Sequence, residues 1–119
     1  AQRVQEHRTS LLSLLDKLKN ERKKIIGYGA STKGNVLLQY CNIGTQYLDC
    51  IAEVNEQKFG AYTPGTLIPI VSEAEANAMK PDYLFVLPWH FRNNILGREK
   101  EYRAAGGKFI FPLPFIEIV

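Results

Sequence analysis

Cysteine is scarce in this chain of 119 residues: only Cys41 and Cys50 are present. Eight residues separate them, so they lack the C-x-x-C spacing of a zinc site and the density of a secreted disulfide scaffold. No metal is expected, and a reducing cytoplasm is the plain reading. Long apolar runs are missing too. Nothing approaches the ~20 residues of a membrane span, and no signal-peptide pattern opens the chain, which points to a soluble protein without a membrane partner. Repeats and low-complexity segments are absent. So is the stripe of basic residues interleaved with aromatics that marks a nucleic-acid binder. The formal charge is +3, but residues 1–24 carry seven Lys or Arg against three Asp or Glu, and the rest of the chain carries eight against nine. The basicity is local to the first helix, and no nucleic-acid partner is expected.

With 45% hydrophobic residues, a chain of this length supports a single domain with one core over residues 1–119. Residues 1–23 form a leading helix and 24–119 an α/β core. The first residue is Ala1 rather than Met, and a charged helix leads straight into the first strand, which suggests a piece of a larger protein. Leu11, Leu14, Leu15 and Leu18 fall at i, i+3, i+4 and i+7 and make one apolar stripe on that helix.

Five short apolar runs follow, at 24–28, 48–54, 67–71, 83–87 and 108–111. They are rich in Ile, Val, Phe and Tyr and read as strands buried on both faces. Helical patterns separate them: 32–41, with Val36, Leu37 and Tyr40 inward; 72–79, opened by Ser72 with Glu75 three residues on; and 92–105, ended by Gly106 and Gly107. Residues 55–66 read mostly as loop. Strands alternating with helices imply parallel βαβ units. Right-handed crossovers then favour a Rossmann-like three-layer αβα fold with a five-stranded parallel sheet, order 3-2-1-4-5, behind the N-terminal helix. Ligands bind such folds where strands one and four meet.

After Ile25-Ile26 the chain reads Gly27-x-Gly29-x4-Gly34 and starts a helix. Glycines allow a sharp turn and close approach to a ligand, and helix N-terminal amides attract an anion. Lys33 adds a cation where the helix dipole alone prefers an acid, which makes sense if an anion binds. The spacing departs from the dinucleotide fingerprint, whose third glycine comes sooner, and from the Walker pattern, because Asn35 follows Gly34. The glycines are phosphate ligands or they simply close a strand-to-helix turn. Glu53, ending strand two, sits where Rossmann folds place the acid that binds a ribose hydroxyl. Otherwise it is a strand-end carboxylate facing water.

A second loop, Pro88-Trp89-His90-Phe91-Arg92-Asn93-Asn94, follows strand four and faces the first across the expected crevice. Trp89 offers a stacking surface, and Arg92 and the amides offer partners for hydroxyls or phosphate. His90 is the candidate catalytic acid or base, the role histidine most often takes. The plainer reading has Trp89 covering the sheet end, Phe91 in the core and an Asn capping the helix.

Taken together, Gly27-Tyr28-Gly29-Ala30-Ser31-Thr32-Lys33-Gly34-Asn35, Glu53-Val54-Asn55, Lys58-Phe59-Gly60, Pro64-Gly65-Thr66, Pro81-Asp82-Tyr83 and Leu87-Pro88-Trp89-His90 resemble the C-terminal domain of S-adenosylmethionine-dependent C-methyltransferases acting on nucleotide-linked deoxysugars. The resemblance runs from about Leu11 to Val119. It implies a nucleotide-sugar-binding domain of an enzyme that methylates a keto-deoxysugar nucleotide (TDP-linked or similar), inactive by itself and partnered by the methyltransferase domain of the same chain. The zinc-binding and methyltransferase domains of that family have no counterpart here, so no cofactor is expected on this domain. S-adenosylmethionine is expected on the methyltransferase domain. The substrate contacts implied are Tyr28, Gly29, Ala30, Ser31, Thr32, Lys33, Asn35, Glu53, Asn55, Trp89, His90 and Arg92. A free-standing nucleotide- or dinucleotide-binding regulatory module is the alternative.

Overall fold

A computed structural model describes residues 2–119. Helix α1 (Gln2–Asn20) leads into β1 (Ile25–Tyr28) and α2 (Thr32–Cys41). Then come β2 (Ile51–Glu53), a 3-10 turn (Glu56–Lys58), β3 (Ile70–Ser72) and α3 (Glu73–Ala78). Next are β4 (Tyr83–Val86), a 3-10 turn (Trp89–Phe91), α4 (Arg92–Arg98) and α5 (Lys100–Ala104), before β5 (Lys108–Phe111) and β6 (Glu117–Ile118). The sheet order is β3-β2-β1-β4-β5-β6, with the first five strands parallel.

The sixth strand corrects the expectation of a five-stranded parallel sheet. After β5 the chain reverses, and β6 pairs antiparallel with it, Ile110 opposite Ile118. Phe109 and Val119 then exchange backbone hydrogen bonds of 2.8 and 2.9 Å. Two residues of regular strand are too few for a period to register in the sequence, and a hairpin-like return needs no crossover helix.

Both faces of the sheet are covered, because successive strand residues point to opposite sides. Ile25, Ile51, Phe85 and Ile110 meet Leu11, Leu15 and Leu18 of α1 and Leu37 and Leu38 of α2. On the other side Ile26, Leu84, Phe109 and Phe111 meet Ala76 of α3 and Ile95 of α4.

Three details depart from the periodicity reading. In α2 the buried residues are Gly34, Leu37, Leu38 and Cys41, whereas Val36 is 63% and Tyr40 47% exposed. The reason lies at the helix start, where a Cβ on Gly34 would come within 2.5 Å of Leu87 Cβ. Close approach there turns positions 34, 37, 38 and 41 inward. The run at 67–71 becomes a strand only from Ile70, since Leu67 sits exposed at φ 57. The expected helix over 92–105 breaks at Glu99 (φ −103, ψ 39), two residues after Gly97, whose lack of a side chain weakens the helix at that point.

Candidate functional site

The loop after β1 is shaped by its own side chains. Gly29 takes φ 78, a left-handed conformation that a Cβ would strain. Ser31 then caps α2: its Oγ accepts a 3.1 Å bond from the Gly34 N–H. Ala30 N–H donates 2.9 Å to Glu53 Oε1, and Glu53 Oε2 accepts from the amides of Val54 at 2.8 Å and Asn55 at 2.9 Å. A buried carboxylate thus binds three backbone amides and ties the β1 loop to the β2 loop. Lys58 Nζ completes the brace, donating 2.8 Å to Ala30 O and lying 3.9 Å from Glu53 Oε1.

These loops form one wall of a cleft of about 490 Å³ at the C-terminal ends of β1, β2 and β4. The opposite wall is Pro88, Phe91, Asn94, Ile95 and Arg98. Phe91, Asn94, Ile95 and Arg98 recur at helical spacing and present one face to the cleft. Arg98 Nη2 donates to both oxygens of Glu73, at 2.8 and 3.0 Å, and its Nε lies 3.4 Å from Glu99 Oε2. Tyr28 OH donates 2.8 Å to the same Glu99 oxygen. Burial, followed by that carboxylate, pushes the Tyr28 phenol well above its ordinary range, so Tyr28 works as a neutral donor. Among the described residues, no three His, Cys, Asp or Glu side chains come together in a way that could hold a metal ion.

Of the residues singled out from sequence, Tyr28, Gly29, Ala30, Ser31, Glu53 and Asn55 line this cleft. Thr32, Lys33, Asn35, Trp89, His90 and Arg92 lie outside its lining. Lys33 is exposed on α2. Trp89 is half-buried and packs against both core clusters, so it covers the sheet end. His90 is exposed, with its ring centroid 4.3 Å from that of Phe91. Phe91, which the plainer sequence reading put in the core, is 53% exposed and lines the cleft instead.

Arg92 turns toward the sheet edge. Its Nε and Nη2 donate to the two oxygens of Glu117 at 2.8 and 2.9 Å, and its guanidinium sits 5.6 Å from the Phe111 ring centroid. The arginine holds β6 to α4, and its hydrogen bonds pull the Glu117 carboxyl below its usual 4.5. A carboxyl with a depressed folded pKa stabilises above its unfolded value and loses that contribution as pH falls through the folded one. Hydrogen exchange at Val119 should therefore quicken as pH drops below that value, corrected for intrinsic rates, and Glu117→Gln should flatten this dependence. An unchanged profile in the variant would detach β6 from the pair.

Of the further cleft residues, Asn94 is one of the second-loop amides that the sequence offers to hydroxyls or phosphate, and Lys58 stands in a motif that carries the resemblance without a role of its own. Arg98 reads only as a solvated helix face, and its one cue is its place after β4, at the end of the sheet where α/β folds bind ligands.

Comparison with known proteins adds the family to this geometry. The pattern of the C-methyltransferase C-terminal domain family matches residues 1–114. A curated relative, the C-methyltransferase NovU of Streptomyces niveus, is 40% identical over 92 residues, which cover 77% of this chain and 22% of the relative. The chain therefore spans about a fifth of the length of that relative.

Proposed function

The chain belongs to the C-methyltransferase C-terminal domain family, and from that premise we propose that it is the nucleotide-sugar-binding domain of an enzyme that C-methylates a keto-deoxysugar nucleotide. The observation that carries the reading is the cleft of about 490 Å³ at the C-terminal ends of the neighbouring strands β1 and β4, walled by a glycine loop and by a helix face of mixed polarity, Phe91, Asn94, Ile95 and Arg98. Its size suits a nucleotide-type ligand. Tyr28, Ser31, Asn55 and Asn94 offer neutral hydrogen-bonding groups for hydroxyls, with Lys58 and Arg98 as the cations.

C-methylation of such a substrate removes a proton beside the keto group and passes it to a base. The resulting enolate carbon forms a bond to the methyl group as the methyl–sulfur bond of the donor breaks. This chain contributes binding and exclusion of water from one side of the sugar. In this reading the chain does not hold the donor S-adenosylmethionine, and Glu53 serves the loops rather than a ribose, its two oxygens accepting three backbone amides. The donor and the base belong, in this reading, to a methyltransferase domain of the full-length enzyme. His90, exposed beside Phe91 and outside the cleft lining, is this chain's own candidate for a secondary role in proton transfer. No described helix is long and apolar enough to cross a membrane, and the reading places the enzyme in the cytoplasm, where Cys41 and Cys50 stay as free thiols.

Calorimetric titration of this chain with TDP- and UDP-sugars, NAD and S-adenosylmethionine tests the assignment. Binding of a nucleoside diphosphate sugar, with none of NAD or the methyl donor, is the expected result. Tight binding of NAD would establish a free-standing dinucleotide module in its place, and no binding of any nucleoside diphosphate sugar would end the proposal.

A further inference from the structure

A nucleoside diphosphate sugar has a flat aromatic end and a strongly charged middle, and the cleft treats the two differently. Side chains already take two amides of the glycine loop: Ala30 N–H is held by Glu53 and Gly34 N–H by Ser31 Oγ. Attraction for a diphosphate therefore draws on lining cations beside the amides that start α2. Lys33 is not in the lining, so the lining cations are Lys58 and Arg98.

These two are not equivalent. Arg98 is flanked by two carboxylates, Glu73 at 2.8 Å and Glu99 at 3.4 Å, which offset its charge. Lys58 has three ammonium donors, of which one reaches Ala30 O. The carboxylate near it, Glu53, is 3.9 Å away and already accepts three amides. Lys58 keeps donors and charge for an incoming anion.

Across the cleft, Phe91 leaves more than half of its surface open on the lining, although the neighbouring Trp89 packs onto the core. An exposed ring on a cleft wall is a stacking platform for another ring. Lys58 follows β2 and Phe91 follows β4, with β1 between them, so the two stems stand about 10 Å apart, two strand spacings. A nucleoside diphosphate bridges such a gap between its base and its phosphates.

We infer that Lys58 receives the diphosphate of the bound nucleotide and that Phe91 carries the ring of its base, which fixes the direction in which the ligand lies across β1. The inference rests on the nucleotide-sugar reading above. Both are tested by titrating this chain with TDP, thymidine and inorganic pyrophosphate. Lys58→Met should weaken TDP and pyrophosphate about tenfold or more, the strength of a charge-assisted contact, and leave thymidine unchanged; Lys58→Arg should restore most of the loss. Phe91→Leu should weaken TDP and thymidine by about fivefold or more, as for loss of base stacking, and spare pyrophosphate. Because Lys58 also braces Ala30, a purely structural role would weaken all three ligands alike in Lys58→Met. That outcome, or no change in either variant, overturns the inference while the nucleotide-sugar reading stands. If the unaltered chain binds no TDP, both fall together.

Discussion

Glu53→Gln should cost this fold about 2–4 kcal/mol, because it leaves buried backbone donors facing an amide NH2. The glutamate presents two acceptor oxygens to three amides, those of Ala30, Val54 and Asn55. Glutamine has one oxygen and one NH2. Whichever way its amide turns, donors meet donors on one side, and a buried donor without a partner costs about 1–3 kcal/mol. For a chain of this size the melting temperature should fall by roughly 8–15 °C. The consequence reaches the site, since Ala30 and the turn that starts α2 are held in place from β2 through this carboxylate. A change under about 1 kcal/mol in urea unfolding would show that Glu53 faces water after all.

Phe85→Ala should do more damage, about 3–5 kcal/mol, the range for emptying a buried aromatic site. Phe85 lies in β4 between β1 and β5 and is fully buried beneath α1 and α2. Strands on both sides and helices above leave little room to collapse into the cavity. The urea midpoint should fall sharply with an unchanged denaturant slope. Phe91→Ala supplies the contrast: its ring is more than half exposed, so stability should barely move. Similar losses for the two phenylalanines would contradict the placement of one in the core and the other on the cleft wall.

Much of the fold was legible in the sequence. Five apolar runs bounded by turn residues, with helical patterns between them, lead by right-handed crossovers to the order 3-2-1-4-5, and that order runs through the observed sheet. Helix α2 spans Thr32–Cys41 as its pattern predicts, since Ser31 and Asn42 cap it with local chemistry. Ser72 likewise caps α3 through the Glu75 amide. Such signals lie within a few residues of one another, and a sequence displays them directly.

The place of the cleft was legible, but not its contacts. Expecting it beyond the C-terminal ends of β1 and β4 required only the strand order. The partners of individual side chains required distances between segments far apart in the chain. Glu53 looked like a ribose ligand or a solvent-facing carboxylate and is instead bound to amides of its own loop and of the β1 loop. Arg92 stands in a loop rich in polar groups, yet Glu117, 25 residues on, takes both ends of its guanidinium.

What the sequence determined alone is therefore the alternation of strands and helices, the glycine loop after the first strand and the end of the sheet where the cleft opens, because hydrophobic period and capping are local. What only the tertiary structure decided is the antiparallel β6, the rotation of α2, and the presence of Lys58 rather than Lys33 in the cleft lining. Each depends on how closely two distant segments approach. A Cβ that Gly34 lacks beside Leu87 sets which face of α2 turns inward, and a carboxylate on β2 decides which amides of the glycine loop remain free.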